Sequence, residues 1–473
     1  MSSLKFGTSG LRGLVTDLAG QPARRWTAAF LAVAGQAERG GVKTVLIGRD
    51  LRSSSPTIAQ DCAAAAAALG WKAIDCGALP TPALALAAME RGVPAVMVTG
   101  SHIPDDRNGL KFYLASGEIT KEDEAAIRAA LDAQPADIPD APPADTEGRA
   151  LDAYVARYLD FFPGDLLAGL HVGVYQQSAV ARDCLVEILQ GLGARVTPLG
   201  RSTHFVPIDT EAHHPRDLAL FARWAEPGAF DAIVSTDGDA DRPLVTDAAG
   251  IVVRGDLLGL LAAAHLKLRS IATPVTSSAA VERSGVATTV RRTRVGSPYV
   301  IEGMAAILDA GEGDVIGFEP NGGVLLGSQV SRGGRHLAAL PTRDAVLPIL
   351  TALASAKAAA GGLRAAAERL GAGHALADRL PDVPAEASSS FLERLSKNAD
   401  FAAVLLRPAG RIVSSDRMDG VRLVLEDGAI LHFRASGNAP EMRCYVEADT
   451  AERAQELLRF GLDTARTVIQ ENL

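Results

Sequence analysis

The chain has 473 residues, 48% hydrophobic and 22% charged, which is too long for one core and apolar enough for several, so about three or four domains are expected. A formal net charge of −9 argues against nucleic acid or an anionic membrane as the main partner, and leaves anionic small molecules to be drawn in by local Arg and Lys clusters. Four scattered cysteines, Cys62, Cys76, Cys184 and Cys444, form no CxxC pair; with no apolar run of membrane-spanning length and purity and no signal-peptide core in MSSLKFGTSG, the chain reads as soluble and cytoplasmic.

Apolar β-rich runs alternate with Ala- and Leu-rich helical stretches to about residue 350, the pattern of βα units around parallel or mixed sheets. FGTSGLRG at 6–13 and GRDLRSSSP at 48–56 bring Arg12, Arg49 and Arg52 to the amino-terminal unit. Arg12 is a candidate to reach a reacting phosphate; Arg49 and Arg52 read equally well as structural ion pairs. A strand is predicted at 44–47, a helix opened by Ser-Pro at 55–69, and a buried strand at 94–98 that runs into TGSHIPDDRNGLK at 99–111. Ser101 then lies just past a strand's carboxyl end, where open α/β sheets bind ligands. Pro104 and Asn108-Gly109 predict a turn that returns Lys111 towards Ser101. A hydroxyl flanked by His102 and Lys111 suits phosphoryl transfer, because one group must take its proton and another must stabilise the transferring group. The same composition also makes an ordinary surface turn. Residues 134–149, Pro- and Asp-rich, read as a linker.

A second α/β unit is expected from a strand at 171–175, a helix at 179–190 and a strand at 231–235 that delivers DGDADR. Its Asp237, Asp239 and Asp241 repel one another unless a cation intervenes. They suit Mg²⁺, which takes few carboxylates and completes its octahedron with phosphate oxygen and water. An EF-hand is excluded, since the sixth loop position is Arg242 and the twelfth Ala248 where Gly and Glu are required. A third unit begins near Gly255, with strands at 271–275 and 315–318 and a helix at 341–360. In GFEPNGGVLLG at 317–327, Glu319 and Asn321 suit sugar hydroxyls, although Pro-Asn-Gly-Gly equally marks a hairpin turn. Beyond about residue 375, strands at 420–425 and 430–434 alternate with short helices, a smaller α+β domain. There Arg434 and Arg443 flank a Ser-Gly-Asn turn, RASGNAPEMR, whose backbone N–H groups can cradle a phosphate dianion.

Taken in order, these loops resemble the motif series of the α-D-phosphohexomutase superfamily, phosphomannomutase/phosphoglucomutase-like, over nearly the whole chain. The resemblance implies an α/β fold: three similar α/β domains with mixed sheets plus a smaller C-terminal α+β domain around a central cleft. The divisions expected are 1–140 with the phosphoserine loop, 150–253 with the metal loop, 254–372 with the sugar loop and 373–473 with the phosphate loop. It implies interconversion of hexose 6-phosphate and hexose 1-phosphate, mannose first, through a phosphoserine and a hexose 1,6-bisphosphate that also serves as activator. By this resemblance Ser101 is the phosphoserine and, with Asp237, Asp239 and Asp241, holds Mg²⁺. Arg12, His102, Lys111 and Arg242 line the reacting phosphate, Glu319 and Asn321 meet the sugar, and Arg434, Ser436, Gly437, Asn438 and Arg443 grip the distal phosphate. Small hexose phosphates are the partners implied, and oligomeric state stays open.

Three departures from the family pattern stand out. His-Ile-Pro replaces His-Asn-Pro after Ser101, and Ala240 replaces Gly in the metal loop; neither removes a ligand. The sugar loop departs further, because Gly-Glu-x-Ser-Gly-His becomes Phe-Glu-Pro-Asn-Gly-Gly. Asn321 stands for the usual Ser and Gly323 for a histidine suited to carry a proton, which shifts that expectation to Lys111. The nearest rival is a phosphoglucosamine or phosphoacetylglucosamine mutase. An aspartyl phosphatase leaves Ser101 idle, and a non-catalytic sugar-phosphate binding protein leaves serine, carboxylates and lysine together without a task.

Overall fold

The computed structural model describes residues 2–7, 10–37, 43–436 and 440–470. The first unit is an eight-stranded mixed sheet. Thr44–Arg49 sits at its centre, parallel to both Lys72–Ala78 and Ala95–Val98, and Arg107–Leu114 returns antiparallel beside Ala95–Val98. Ser55–Ala68 starts with Pro in its first turn, and the alanine-rich helix packs flat on the sheet because small side chains let backbones approach. The second sheet has three parallel strands, Arg195–Leu199, His171–Tyr175 and Ala232–Thr236, closed by antiparallel Pro243–Val245. The third pairs Thr289–Thr293, Ser270–Pro274 and Val315–Phe318 in parallel and adds Val324–Leu326 and Leu340–Asp344 antiparallel. The last, from His374–Leu380 to Met442–Ala448, is an antiparallel five-stranded sheet backed by Ala385–Lys397, Ala399–Leu406 and Ala451–Gln470. Three mixed α/β units followed by one α+β unit is the expected class.

The apolar clusters do not follow the sheets one for one: the first, second and third units each keep a smaller cluster, built on Phe30, Phe221 and Val300, beside a larger one that they share. One apolar cluster runs from Leu46 through Tyr154, Val234 and Leu258 to Leu370, so the first three units share a core. The C-terminal unit has its own, built on Phe391, Phe433, Leu431 and Leu457. Among the described residues no single helix is long and apolar enough to cross a membrane, and all four cysteines are free and buried.

Several local expectations fail for identifiable reasons. Asn108-Gly109 is not a turn; it lies inside the strand Arg107–Leu114. Gly109 is needed there because a Cβ would stand 2.4 Å from the Leu11 carbonyl and 2.9 Å from that of Thr99, and the Asn108 amide is engaged by the Ser54 and Ser55 hydroxyls. The expected helix at 341–360 begins only at Val346, because Leu340–Asp344 forms the edge strand of the third sheet, a position that tolerates Pro341. The helix expected from 179 begins at Cys184, since Val180 donates its N–H to the Gly238 carbonyl of the acidic loop instead. The linker is mostly irregular, but Asp145–Thr146 joins the first sheet beside Lys72–Ala78. The tail's helices are not all short: Ala451–Gln470 spans 20 residues.

Candidate active site

Three loops that leave strand ends in three different sheets meet in one buried cluster. Ser101 follows Ala95–Val98 with φ 55°, a left-handed conformation uncommon for a side chain larger than glycine's. The surroundings hold it there. Its N–H donates to Thr99 Oγ1 at 2.8 Å, and Arg52 donates to the carbonyls of Ser101, Ile103, Pro104 and Arg107 at 2.9, 2.6, 2.8 and 3.1 Å. Arg52 is therefore a clamp on the serine loop, itself paired with Asp50; Arg49 pairs with Asp75. The Ser101 hydroxyl donates to Asp237 Oδ2 at 2.6 Å and lies 3.3 Å from His102 Nδ1.

The acidic loop after Ala232–Thr236 gathers Asp237, Asp239 and Asp241, all buried, with one oxygen of each within 4.8 Å of the others. Ala240, where φ is 59°, takes the left-handed position that makes the loop curl. Lys111 donates to Asp239 Oδ2 and Asp241 Oδ2, both at 2.6 Å, and Thr81 donates to Asp239 Oδ2 at 2.6 Å. Arg343 donates to Asp241 Oδ2 at 3.0 Å and to Glu319 Oε2 at 3.1 Å, joining the acidic loop to the loop after Val315–Phe318. Arg242 Nη1 lies 3.0 Å from His102 Nδ1.

Burial and repulsion from Asp239 and Asp241 push the Asp237 carboxyl well up. Burial acts the same way on the other two, and Asp239 also feels repulsion from Asp241. Lys111 outweighs this at Asp239, and Arg343 with Lys111 does so at Asp241, so both are held below the usual carboxylate range. Burial, reinforced by Arg242, lowers His102 to about 3, which leaves the imidazole neutral. Burial and Arg242 lower Arg12 to about 10; the charges it feels, Arg242, Asp239, Arg343 and Asp241, set it in the same cluster.

Four buried polar atoms in this cluster have no hydrogen-bond partner among the described residues: Asp239 Oδ1, Asp241 Oδ1, Arg242 Nε and Arg12 Nε. Asp241 Oδ1 and Arg242 Nε face each other as an ion pair at 3.6 Å, beyond hydrogen-bonding distance; carboxylate oxygens and guanidinium nitrogens left without hydrogen bonds suit a cation and an anion bound side by side. The donor set thus fits a hard divalent metal together with a phosphoryl group.

The remaining expected residues divide. Glu319 is buried and reaches the cluster through Arg343. Asn321 spends its Oδ1 on the N–H of Gly323 at 3.0 Å, and so shapes the turn. Arg434 pairs with Asp419 at 2.9 Å, Arg443 with Glu441 at 2.7 Å, and Ser436 donates its N–H to the Glu441 carbonyl. These belong to the C-terminal sheet and do not join the cluster. Gly437 and Asn438 lie outside the described residues. Sequence reasoning missed Arg343 and Thr81; each reaches the acidic loop across more than a hundred residues, and no local pattern marks such partners.

The phosphoglucomutase/phosphomannomutase alpha/beta/alpha domain I matches residues 3–137, its domain III residues 254–371, and its C-terminal domain residues 385–460. A phosphomannomutase of Sinorhizobium fredii is 49% identical over 97% of this chain and 98% of its own. One of Salmonella muenchen is 42% identical over 98% and 96%. Relatives named phosphoglucosamine mutase match at lower identity. A phosphoglucomutase/phosphomannomutase family protein of Burkholderia thailandensis shares the fold, with TM-score 0.73 at 21% identity over 97% of each chain. Matched over most of its length, the chain belongs to the phosphoglucomutase/phosphomannomutase family of the α-D-phosphohexomutase superfamily.

Proposed function

We propose that this phosphohexomutase interconverts mannose 6-phosphate and mannose 1-phosphate, with Ser101 as the phosphoryl carrier. The observation that carries the reading is the buried Ser101 hydroxyl, 2.6 Å from Asp237 within a cluster whose bare atoms suit a cation and an anion. In the first half-reaction the P–O bond to Ser101 breaks and a new one forms to a sugar hydroxyl oxygen, giving hexose 1,6-bisphosphate. The hydroxyl's proton leaves to a base, and the serine oxygen is protonated when it is freed. After the bisphosphate turns around, its other phosphoryl group returns to Ser101. Bisphosphate lost between the two steps leaves a dephosphorylated serine, so added bisphosphate acts as an activator.

Arg12 and Arg242 hold the transferring group. On this reading Asp237, Asp239, Asp241 and the Ser101 phosphate would hold Mg²⁺, which when bound neutralises charge on the phosphoryl oxygens. Lys111 donates to two carboxylates of the acidic loop at once, which sets it beside the transferring group; with Gly323 in the place of the usual histidine, it is also the group proposed to carry the sugar hydroxyl's proton. Glu319 and Asn321 line the sugar side, and Arg434, Ser436, Gly437, Asn438 and Arg443 take the distal phosphate. The divisions 1–140, 150–253, 254–372 and 373–473 and a cytoplasmic setting, for which the reduced cysteines argue, belong to the same proposal.

A panel of mannose, glucose, glucosamine and N-acetylglucosamine 6-phosphates, followed by phosphorus NMR, tests it. The expected order puts mannose first in kcat/KM; a higher value for either amino sugar overturns the substrate assignment. Ser101→Ala is expected to lose turnover by orders of magnitude while still binding sugar phosphate by calorimetry, and parental turnover in that variant removes the phosphoserine.

A further inference from the structure

Residues 203–213 carry no motif, yet they touch the loops of all three α/β units. At one end the Phe205 ring lies 3.8 Å from the Arg52 guanidinium that clamps the serine loop. It also packs on Gly238 of the acidic loop so closely that a Cβ there would stand 2.9 Å from the ring. At the other end the buried Thr210 hydroxyl donates to the Asn321 carbonyl of the sugar loop at 2.8 Å. Between them, Ser178 Oγ accepts the Val206 N–H, and Asp209 Oδ1 accepts the N–H groups of Glu211 and Ala212 at 2.9 and 3.1 Å. The backbone at Glu211 is therefore fixed from both sides.

The Glu211 side chain is exposed, and among the described residues no hydrogen bond or ion pair reaches its carboxylate. Its charged neighbours come from four separate elements: Asp209 on its own segment, Arg242 of the acidic loop, Glu319 of the sugar loop and Arg443 of the C-terminal sheet. Thr210, the residue before it, is bonded to the Asn321 carbonyl, so the exposed Glu211 side chain stands beside the sugar loop. Desolvation by the surrounding units and then Asp209 raise its carboxyl, against the pull of Arg242 and Arg443. Arg242 and Arg443 stand at the proposed reacting and distal phosphates, and a group that feels both lies along the span that the sugar ring must occupy.

We propose that Glu211 is a second sugar-recognition residue, which accepts a hydrogen bond from a ring hydroxyl of the bound hexose phosphate. This rests on the phosphohexomutase reading for the two phosphate ends. Fixed by Asp209 and Thr210, Glu211 faces the ring from the second unit while Glu319 faces it from the third, and two acceptor carboxylates suit a neutral polyol.

The test compares the parent with Glu211→Ala and Glu211→Gln in the full chain with Mg²⁺, using mannose 6-phosphate and its 2-, 3- and 4-deoxy analogues. A hydrogen bond to a charged acceptor sets the expected scale: KM for mannose 6-phosphate rises about tenfold to a hundredfold in Glu211→Ala, less in Glu211→Gln, with kcat changed far less. One deoxy analogue, the one lacking the partner hydroxyl, should be handled alike by parent and variant. Equal losses on every analogue would mean that Glu211 only latches the C-terminal unit through Arg443, and an unchanged KM would mean that it touches nothing; either overturns the proposal. Unaltered thermal unfolding excludes misfolding as the cause. Calorimetry of mannose 6-phosphate separates the two readings. A parent that binds it through Glu211 without isomerising it refutes the activity alone, and one that isomerises it with equal affinity in Glu211→Ala refutes this contact alone. A parent that neither binds nor isomerises it ends both.

Discussion

Arg52 shows how one residue can set the geometry of a nucleophile through its backbone, with no hydrogen bond to its hydroxyl. Its guanidinium satisfies four carbonyls of the serine loop and is fully buried with Asp50. A lysine at this position offers three donors at one point to four carbonyls, so at least one carbonyl loses its partner at about 1–3 kcal/mol. Arg52→Lys should therefore loosen the strained Ser101 conformation and cut kcat by about a hundredfold, the scale associated with misplacing a reacting group by about 1 Å. KM should change far less, since the residues proposed for the sugar and the distal phosphate are not touched. Parental kcat in this variant would show that the loop keeps its shape without the clamp. The sequence left Arg52 divided between phosphate ligand and ion pair, because its acceptors lie about fifty positions further along the chain and backbone carbonyls have no sequence signature.

At the scale of elements, what was legible was whatever depends on local pattern. The strands before the three loops were found within a residue or two, since buried β-rich runs between turn residues are a local property. Ser101 and the Asp triad were legible for the same reason. The misread elements owe their form to neighbours: Asn108-Gly109 is extended because strands crowd Gly109 from both sides, and Leu340–Asp344 is a strand because the sheet edge accepts it. The edge strand at Asp145–Thr146 is a third case. It is fastened where Glu147 accepts hydrogen bonds from Arg91 and Arg149 and donates its N–H to the Asp75 carbonyl. The Arg91 hydrogen bond is the main reason that the Glu147 carboxyl lies below its ordinary value of 4.5. A carboxyl lowered on folding contributes stability above that value, and the contribution is lost as pH falls through the folded pKa. Glu147→Gln should then speed amide hydrogen exchange across 145–149 at pH 7, corrected for intrinsic rates, and the difference from the parent should shrink as pH falls below 4.5 and through the folded pKa. A difference that persists in acid would assign the fastening to the backbone pairing instead.

For the whole molecule, the decisive feature is that one buried network and one apolar core tie together the same three units. Lys111 and Thr81 from the first reach Asp239 and Asp241 of the second, and Arg343 of the third reaches Asp241. The C-terminal unit has a separate core and meets the third through polar contacts, Glu447 with Ser278 and Ala279 and Asp419 with the Val295 N–H. A calorimetric scan should accordingly show two transitions, a large one for the three joined units and a smaller one for the C-terminal unit. Of the three buried carboxylates, Lys111 and Arg343 stabilise Asp239 and Asp241, while Asp237 is pushed up by burial and by the other two, and it is Asp237 that a bound cation would relieve. As the cation of the proposed reading, held by the folded site and not by the unfolded chain, Mg²⁺ should raise the large transition by an amount that grows with the logarithm of its concentration, about 2.7 kcal/mol at a hundred times its Kd. The small transition should not move. Asp239→Asn removes a ligand charge while leaving the loop's backbone in place, so it should abolish most of the Mg²⁺ shift, and with it the cation's effect on kcat more than on KM. An identical shift in parent and Asp239→Asn, or a shift confined to the smaller transition, would place the cation somewhere other than the acidic loop.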